Sequence, residues 1–163
     1  MAFESIPPVP DAEQLTDLCL AAGAKKAHEL RSGSFKDRKG KSKTIEIGRI
    51  QAIVTSAQAH TKRIIKSFPS LDDASAFYKE LMKALLDVDE LKKSLGTLQW
   101  LIDQMGIRCR ATISEIKQVP HANEVNKPRQ AFIGRLSSLI KQTGPALRQL
   151  EKTRKEFRRW PTI

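Results

Sequence analysis

Cysteines, aromatic side chains and long apolar runs are all scarce in this sequence of 163 residues. The two cysteines, Cys19 and Cys109, lie far apart, and each falls on the apolar side of a helical pattern, where a free thiol behaves as a small hydrophobe. No stretch is apolar for long enough to span a bilayer, and the first residues lack the basic and apolar regions of a signal peptide. These features argue against a disulfide framework and predict a soluble intracellular protein without a membrane partner.

Acidic residues are also few, with 18 Asp and Glu against 29 Lys and Arg, so the formal net charge is +11. This excess indicates a polyanionic partner, with nucleic acid first and an acidic membrane surface second. The alternative is that the charge only keeps the protein soluble. Aromatic residues make up 6% of the chain and mostly fall in apolar stripes, so stacking on unpaired bases is not expected. Contact with RNA should therefore be with its phosphates and its shape.

Apolar residues repeat at helical spacing along most of the chain, and no convincing alternating strand pattern is present. Asp11 and Gln14 have the spacing of a capping box and predict a first helix over about 12–30. Residues 31–43 contain glycine, serine and many lysines, and we interpret them as a solvated connection. A second helix carries an apolar stripe over 47–68 and should end at the proline that follows.

A third helix is expected to open at Ser70, with the serine hydroxyl and the carboxylates of Asp72 and Asp73 at its positive amino-terminal end. Magnesium binding by the two aspartates is the alternative, and the capping role is favoured. The apolar positions of this helix predict a buried face made of Phe77, Tyr78, Leu81, Met82 and Leu85.

Two longer apolar series advance in alternating steps of four and three residues, which is the pattern of a helix-packing seam. The first covers 91–116 after a capping residue, Asp87, and the second covers 132–157 after Pro128. Because a short polar turn joins them, the two helices must pack antiparallel, and each would be about 45 Å long at 1.5 Å per residue. The sequence thus predicts a single all-α domain over 1–163, an elongated antiparallel helical bundle built on a long helical hairpin with shorter N-terminal helices packed along it.

Glycine and proline interrupt both seams. Gly96 costs about 1 kcal/mol relative to alanine inside a helix, and close approach of a neighbouring helix is the expected reason for it. Gly144 and Pro145 lie in the middle of the second seam, where proline removes one backbone hydrogen bond. Since the apolar pattern keeps its phase across them, we expect a kink there rather than a helix end.

Motifs for catalysis, metal binding or cofactor binding are not found, and we predict none of these sites. The segment Gly40-Lys41-Ser42 is similar to the end of a phosphate loop, but Phe35 stands where that motif needs glycine and no apolar strand precedes it. The three histidines lie on different segments, without Cys, Asp or Glu at metal-ligand spacing. Surface or packing roles are therefore the better interpretation of the histidines.

Basic residues form two clusters, one in the predicted connection and one along the end of the last helix. Either cluster alone could be only a solvated face, but the two together favour RNA as the partner. With Arg135 added, the candidate RNA-binding residues are Lys36, Arg38, Lys39, Lys41, Lys43, Arg135, Arg148, Lys152, Arg154, Lys155, Arg158 and Arg159.

A resemblance to a known family covers essentially the whole chain. The opening residues, the segment 68–73 with its continuation, a Gly-Arg pair and the ending 158–161 carry it, and the segment 68–73 is the most specific. The sequence resembles the amino-terminal helical domain of the Nog-type nucleolar GTP-binding proteins, which are relatives of the Obg GTPases. The residues outside those two segments that match are Phe3, Ile6, Pro7, Val9, Pro10, Ala12, Leu15, Asp17, Phe77, Tyr78, Leu81, Met82, Asp87, Asp89, Leu95, Gly96, Gly134 and Arg135.

This resemblance implies a helical domain that precedes a GTPase domain, in proteins that act in assembly of the large ribosomal subunit and contact ribosomal RNA. The implied partners are ribosomal RNA or a large-subunit precursor and the GTPase domain of the full-length protein, with the chain itself a monomer. The implied location is cytoplasmic in an archaeon and nucleolar in a eukaryote. GTP and magnesium are implied only for the GTPase domain, which would begin after residue 163. The alternative to an RNA-binding module is an intramolecular regulatory domain that docks on that GTPase domain and controls it.

We predict that the isolated chain neither binds nor hydrolyses GTP, because it contains no complete phosphate loop and no acid placed to hold magnesium beside one. Isothermal titration calorimetry with GTP and magnesium should give no binding heat at micromolar concentrations. Stoichiometric binding in that range would contradict the prediction.

Overall fold

The computed structural model describes residues 6–33, 38–70 and 72–160, and within them it contains helices and no β-strand. A 3-10 turn at Ala122–Glu124 connects the fourth and fifth helices. The all-α prediction is therefore confirmed. The helices are α1 (Ala12–Arg31), α2 (Arg38–Ser67), α3 (Ala76–Leu85), α4 (Val88–Gln118), α5 (Asn126–Gln142) and α6 (Gly144–Phe157).

Helix α2 runs antiparallel to α4. Lys43, near the start of α2, donates to the carbonyl of Lys117 at the end of α4 (2.7 Å), and Gln58 donates to the carbonyl of Ile102 (3.1 Å). Residue numbers thus rise along one helix as they fall along the other. Helix α1 is likewise antiparallel to α2, since Gly23 lies against Ile53 and Leu30 lies against Gly48.

Helices α5 and α6 run in the same direction as α2. Arg129, at the start of α5, reaches Glu46 near the start of α2, and the ring of Phe157 in α6 lies 6.3 Å from that of Phe68 just after α2. The architecture is therefore an up-and-down bundle of four rods formed by α1, α2, α4 and the pair α5–α6. The ten-residue α3 lies between α2 and α4 in the chain.

Both predicted seams lie in the core. In α4, Leu98, Ile102 and Met105 are buried, and in the α5–α6 rod all eight predicted positions from Phe132 to Phe157 are buried. The seam residues of α4 face those of α5 and α6 across the bundle. The predicted antiparallel hairpin is confirmed.

The second helix begins earlier than predicted. Residues 38–43 form its first turns rather than part of a solvated connection, so that interpretation of 31–43 is wrong over this part, while residues 34–37 lie outside the described residues. Lysine and arginine are good helix formers. Burial of Ile45 and Ile50 against the bundle stabilises the helix that these turns continue. Helix α2 therefore has 30 residues and is almost as long as α4, with 31.

The third helix begins later than predicted. Its N-cap is Ser75, whose hydroxyl accepts from the amide of Tyr78 (3.4 Å), and not Ser70. Asp72 and Asp73 lie exposed in a turn before the helix, so the capping role given to them is wrong.

The buried face of α3 is narrower than predicted. Tyr78 and Met82 are buried, one helical turn apart, and Leu81 is half-buried. Phe77 and Leu85 remain 48% and 53% exposed, which corrects the prediction for these two residues. A helix of only ten residues at the edge of the bundle contacts the core through a single stripe.

A helix end, and not the expected kink, separates the two halves of the last rod. Helix α5 ends at Gln142 and α6 begins at Gly144, because the hydroxyl and the amide of Thr143 both donate to the carbonyl of Ile140 (2.6 and 3.0 Å). Pro145 then lies in the first turn of α6, where the missing amide leaves no helical hydrogen bond unmade. The predicted continuity of the apolar phase is confirmed, since the seam stays buried on both sides.

Two glycines differ in what surrounds them. A Cβ atom at Gly23 would collide with the buried side chain of Ile53, so α1 and α2 approach closely there. Gly96 is exposed and a Cβ atom would meet nothing within 4 Å, so the explanation of Gly96 by close helix approach is wrong. The glycine that admits a neighbouring helix lies in α1, not in α4.

We expect Gly96→Ala to raise the free energy of unfolding by about 0.5 to 1 kcal/mol, because alanine favours the helix and nothing obstructs its methyl group. Gly23→Ala should lower it, because overpacking costs about 1 to 3 kcal/mol and the same helix gain offsets only part of that. Urea unfolding followed by circular dichroism measures both. Equal effects of the two substitutions would mean that α1 and α2 are further apart than described.

Candidate nucleic-acid interface

One end of the bundle brings four helix ends together, and most of them carry basic residues. The first turns of α2 and α5 lie there beside the last turns of α1 and α4. Lys41 and Lys43 of the predicted cluster are partly buried at this end. Lys36 and the side chains of Arg38 and Lys39 lie outside the described residues. The other cations at this end, which we call the basic end, are Arg31, Lys117, Lys127 and Arg129.

Lys43 stabilises the basic end as well as contributing charge. Its ammonium group donates to the carbonyl of Lys117 in the last turn of α4, where the helix dipole is negative. The contact joins the first turns of α2 to the end of α4.

A buried carboxylate connects α2 to α5 at the basic end. Glu46 is only 6% exposed, and its Oε2 accepts from Nε of Arg49 (3.0 Å) and lies 3.5 Å from Nε of Arg129. Burial of a single carboxylate among apolar residues is costly unless cations compensate it, and here two do. As a result, the carboxylate of Glu46 is neutralised locally and does not face solvent.

A cleft of about 580 Å³ opens between α1, α2 and the 3-10 turn at the basic end. Arg31 and Ser42 line one side of it, and Asn123 and Asn126 line the other. These side chains offer hydrogen-bond donors, and the buried Glu46 is the only carboxylate among the lining residues. The arrangement suits an anion rather than a cation.

The second predicted cluster lies at the opposite end of the bundle. Helix α6 ends beside Phe68, at the far end of α2, which is about 45 Å long at 1.5 Å per residue over its 30 residues. Arg148, Lys152 and Lys155 are exposed and line a groove that Glu151 and Asp11 also line. Arg158 and Arg159 are exposed beyond the helix. The structure therefore does not bring the two clusters together.

Arg154, also a candidate, is part of the core. It is 6% exposed, and its Nη2 and Nε donate to the two carboxylate oxygens of Glu151 (2.6 and 2.8 Å). Glu151 also accepts from the amide of Val9 (2.8 Å), which holds the proline-rich segment before α1, residues 6–10, against α6. We call this segment the leader. The guanidinium of Arg154 thus lies away from the exposed basic face.

In the described part of the chain, no group of three or more His, Cys, Asp or Glu residues is placed to hold a metal ion. Burial raises the pKa of the Cys19 thiol to about 11, so this residue stays protonated and packs as a small apolar side chain. Within the described helices, none is long and apolar enough to cross a membrane.

Comparison with known proteins identifies the family. Residues 3–163 match the family model described as the NOG1 N-terminal helical domain. The chain belongs to this family. The resemblance inferred from the sequence is therefore confirmed, and this chain is the N-terminal helical domain of a family of GTP-binding proteins.

Relatives match over nearly all of this chain. Nucleolar GTP-binding protein 1 of Drosophila melanogaster is 28% identical over 172 residues, covering 99% of this chain and 24% of that protein. The protein of the same name in Saccharomyces cerevisiae is 24% identical, and the match covers 100% of this chain and 25% of that protein. An uncharacterized protein of Methanocaldococcus jannaschii is 22% identical, and the match covers 99% of this chain and 46% of that protein. The chain thus spans about half or a quarter of the length of these relatives.

Sequence reasoning missed Glu46 and Arg129, which join α2 to α5, because neither belongs to an obvious charge cluster. The net charge of each helix, counted separately, is the signal that could have pointed to the basic start of α5. Helix α5 contains four Lys and Arg residues and no acid.

The pKa of Glu151 is lowered, mainly by the hydrogen bonds from Arg154, with the Val9 amide adding to the effect. A lowered folded-state pKa contributes stability above the ordinary glutamate value of about 4.3, and this contribution is lost as pH falls through the folded-state pKa. We therefore expect Glu151→Gln to be less stable at neutral pH and to lose less stability than the parent on acidification. Chemical unfolding between pH 7 and pH 3 measures both effects. Glu156→Gln is the matched control, because its ion pair with Arg159 is long (3.9 Å) and solvent-exposed; a parent-like profile for Glu151→Gln would contradict the assignment.

Proposed function

We propose that this domain binds the phosphate backbone of structured ribosomal RNA, as the RNA-binding module of a GTPase that acts in assembly of the large ribosomal subunit. The observation that carries the proposal is the convergence of basic helix ends at the basic end of the bundle. The names of the eukaryotic relatives support the choice of RNA, because they contain the word nucleolar and the nucleolus is where ribosomes are assembled.

The charged residues of α2 are almost all basic. The helix contains eight Lys and Arg residues and one acid, Glu46, which is buried between two arginines. Helix α2 therefore presents no exposed carboxylate to oppose an approaching phosphate. Since phosphate contacts release condensed counterions, a surface of this kind binds RNA with an affinity that depends steeply on salt.

Recognition should be of shape and backbone rather than of unpaired bases. The exposed aromatic side chains among the described residues are Phe77 and Trp100, and both lie well away from the basic end. Stacking platforms need aromatic side chains within the basic surface itself. A rigid four-rod bundle with helix ends as its contact surface fits a preformed RNA structure.

The alternative, docking on a GTPase domain to control it, would favour a concentrated exposed apolar surface. The large exposed apolar side chains are spread over α1, α3 and α4 instead, and the open groove between residues 7–10, α1 and α2 is lined by Asp17, His60 and Arg63 as well as by apolar residues. The basic end is the more concentrated feature, so RNA binding is the better supported function.

The test is the triple substitution Lys39→Gln, Lys41→Gln, Lys43→Gln, measured by salt titration of binding to a structured ribosomal RNA fragment. We expect weaker binding and a log-log salt slope shallower by about two units, because each phosphate that is no longer neutralised reduces the slope by about 0.7 to 0.9. The fold should be retained, because the hydrogen bond from Lys43 to a helix end contributes no more than about 2 kcal/mol. Thermal unfolding checks this retention.

The matched control is Lys79→Gln, Lys92→Gln, Lys93→Gln. It removes the same charge from three exposed lysines outside the basic end. The control should change affinity and slope much less than the test variant does. Equal effects of the two triple substitutions, or an unchanged slope with an intact fold, would make docking on a GTPase domain the better account.

A further inference from the structure

A second basic feature lies on the side of the bundle, in a groove between α4 and α5. The groove has a volume of about 390 Å³ and is lined by Arg108 from α4 and by Arg135 and Ser138 from α5, among other residues. No carboxylate is among the residues that line it. It differs in this from the groove beside α6, which is lined by both acidic and basic side chains.

Both arginines lack a partner within the described part of the chain. Four other arginines, Arg49, Arg129, Arg154 and Arg159, each lie within 4 Å of a glutamate oxygen, but Arg108 and Arg135 do not. The Nε of Arg108 is also inaccessible to solvent and has no hydrogen-bond acceptor. A buried donor without an acceptor is costly, so a change of the Arg108 rotamer that brings Nε to an acceptor bound in the groove would remove the cost.

The α5 side of the groove offers further donors at spacing that puts them on one face. Arg135, Ser138 and Gln142 follow each other at intervals of three and four residues, and all line the groove. Gly134, which belongs to α5, borders open space, since a Cβ atom there would meet nothing within 4 Å. A ligand can therefore approach the α5 backbone closely at Gly134.

We infer that this groove binds one phosphate group of the RNA backbone, held between the guanidinium groups of Arg108 and Arg135 with Ser138 and Gln142 as additional donors. The inference rests on the proposed function, because it is RNA that supplies the phosphate. Arginine forks match phosphate oxygens in a bidentate manner, and two arginines on separate rigid helices fix the position of the phosphate. No aromatic side chain lines the groove, so it offers no stacking surface for a nucleotide base.

The position of the groove fits an RNA that also contacts the basic end. Arg135 is nine residues into α5, which places it about 14 Å from the start of that helix at 1.5 Å per residue. Helix α5 has no acid anywhere along its 17 residues. A strand bound at the first turn of α5 can thus follow the helix to the groove without passing a carboxylate of that helix.

The chain offers a matched pair of substitutions to test this. Gly134→Glu places a carboxylate in the groove, and Gly96→Glu places the same charge on an exposed face of α4 that is not part of the groove. Both glycines are exposed within helices and have open space around them, so both variants should fold at least as stably as the parent. Thermal unfolding verifies this before binding is measured.

Binding to a structured ribosomal RNA fragment is then followed by fluorescence anisotropy across a salt series. We expect Gly134→Glu to weaken binding by about tenfold or more, the size expected when a charged hydrogen bond is removed, while Gly96→Glu changes it about twofold or less. Arg108→Gln and Arg135→Gln should each reduce the salt slope by about 0.7 to 0.9. Arg135→Lys should restore the slope but only part of the affinity, because lysine keeps the charge without the bidentate geometry.

A second arm uses pyrophosphate with amide chemical shifts of the isotopically labelled protein, so that the inference and the proposed function can fail separately. Shifts at Arg135 and Ser138 that disappear in Gly134→Glu would support the groove as a phosphate site. Equal RNA binding by Gly134→Glu and Gly96→Glu would overturn the inference while leaving RNA binding at the basic end intact. If the parent protein binds no RNA, the proposed function fails, and the inference fails with it even when pyrophosphate binds in the groove.

Discussion

The pairing of one buried carboxylate with two arginines determines the shape of the basic end. Glu46 lies inside the bundle near the start of α2, with Arg49 of the same helix on one side and Arg129 of α5 on the other. A charge in that position has to be compensated, so the first turn of α5 is held against α2. Without this contact, the like charges of the two helix ends would favour their separation. The buried carboxylate of Glu46 therefore helps to hold the basic starts of α2 and α5 close together.

Apolar packing in the core also supports this arrangement of helix ends. The seams of α4 and of the α5–α6 rod bury large apolar side chains throughout, and this burial sets the direction of both rods. The break at Thr143 does not disturb the seam, because the side chain of Thr143 satisfies a carbonyl at the helix end and Pro145 is placed where a helix tolerates it. The core thus fixes where the helix ends lie, and the charged residues near those ends determine what they can bind.

Much of the fold could be predicted from the sequence, because apolar spacing is a local pattern. The limits of α1 and the two seams follow from Asp11, from the steps of four and three, and from the prolines that end helices. The start of α3 could not be predicted, since Ser70 and Ser75 are equally good caps in isolation and only packing of Tyr78 and Met82 decides between them. The burial of Arg154 could not be predicted either. In the sequence of a basic helix, a buried arginine cannot be distinguished from an exposed one until the positions of Glu151 and the leader are known.

The leader itself has a consequence for how the chain is made. The amide of Val9 donates to the carboxylate of Glu151, which follows it by 142 residues. This hydrogen bond joins the segment before α1 to α6. Contacts between such distant positions form late, because the loop between them must close first. During synthesis the α1–α2 hairpin can form as soon as both helices have emerged, while the amide of Val9 has no Glu151 carboxylate to donate to until α6 leaves the ribosome. The contact between the segment before α1 and helix α6 is therefore among the last contacts of this domain to form.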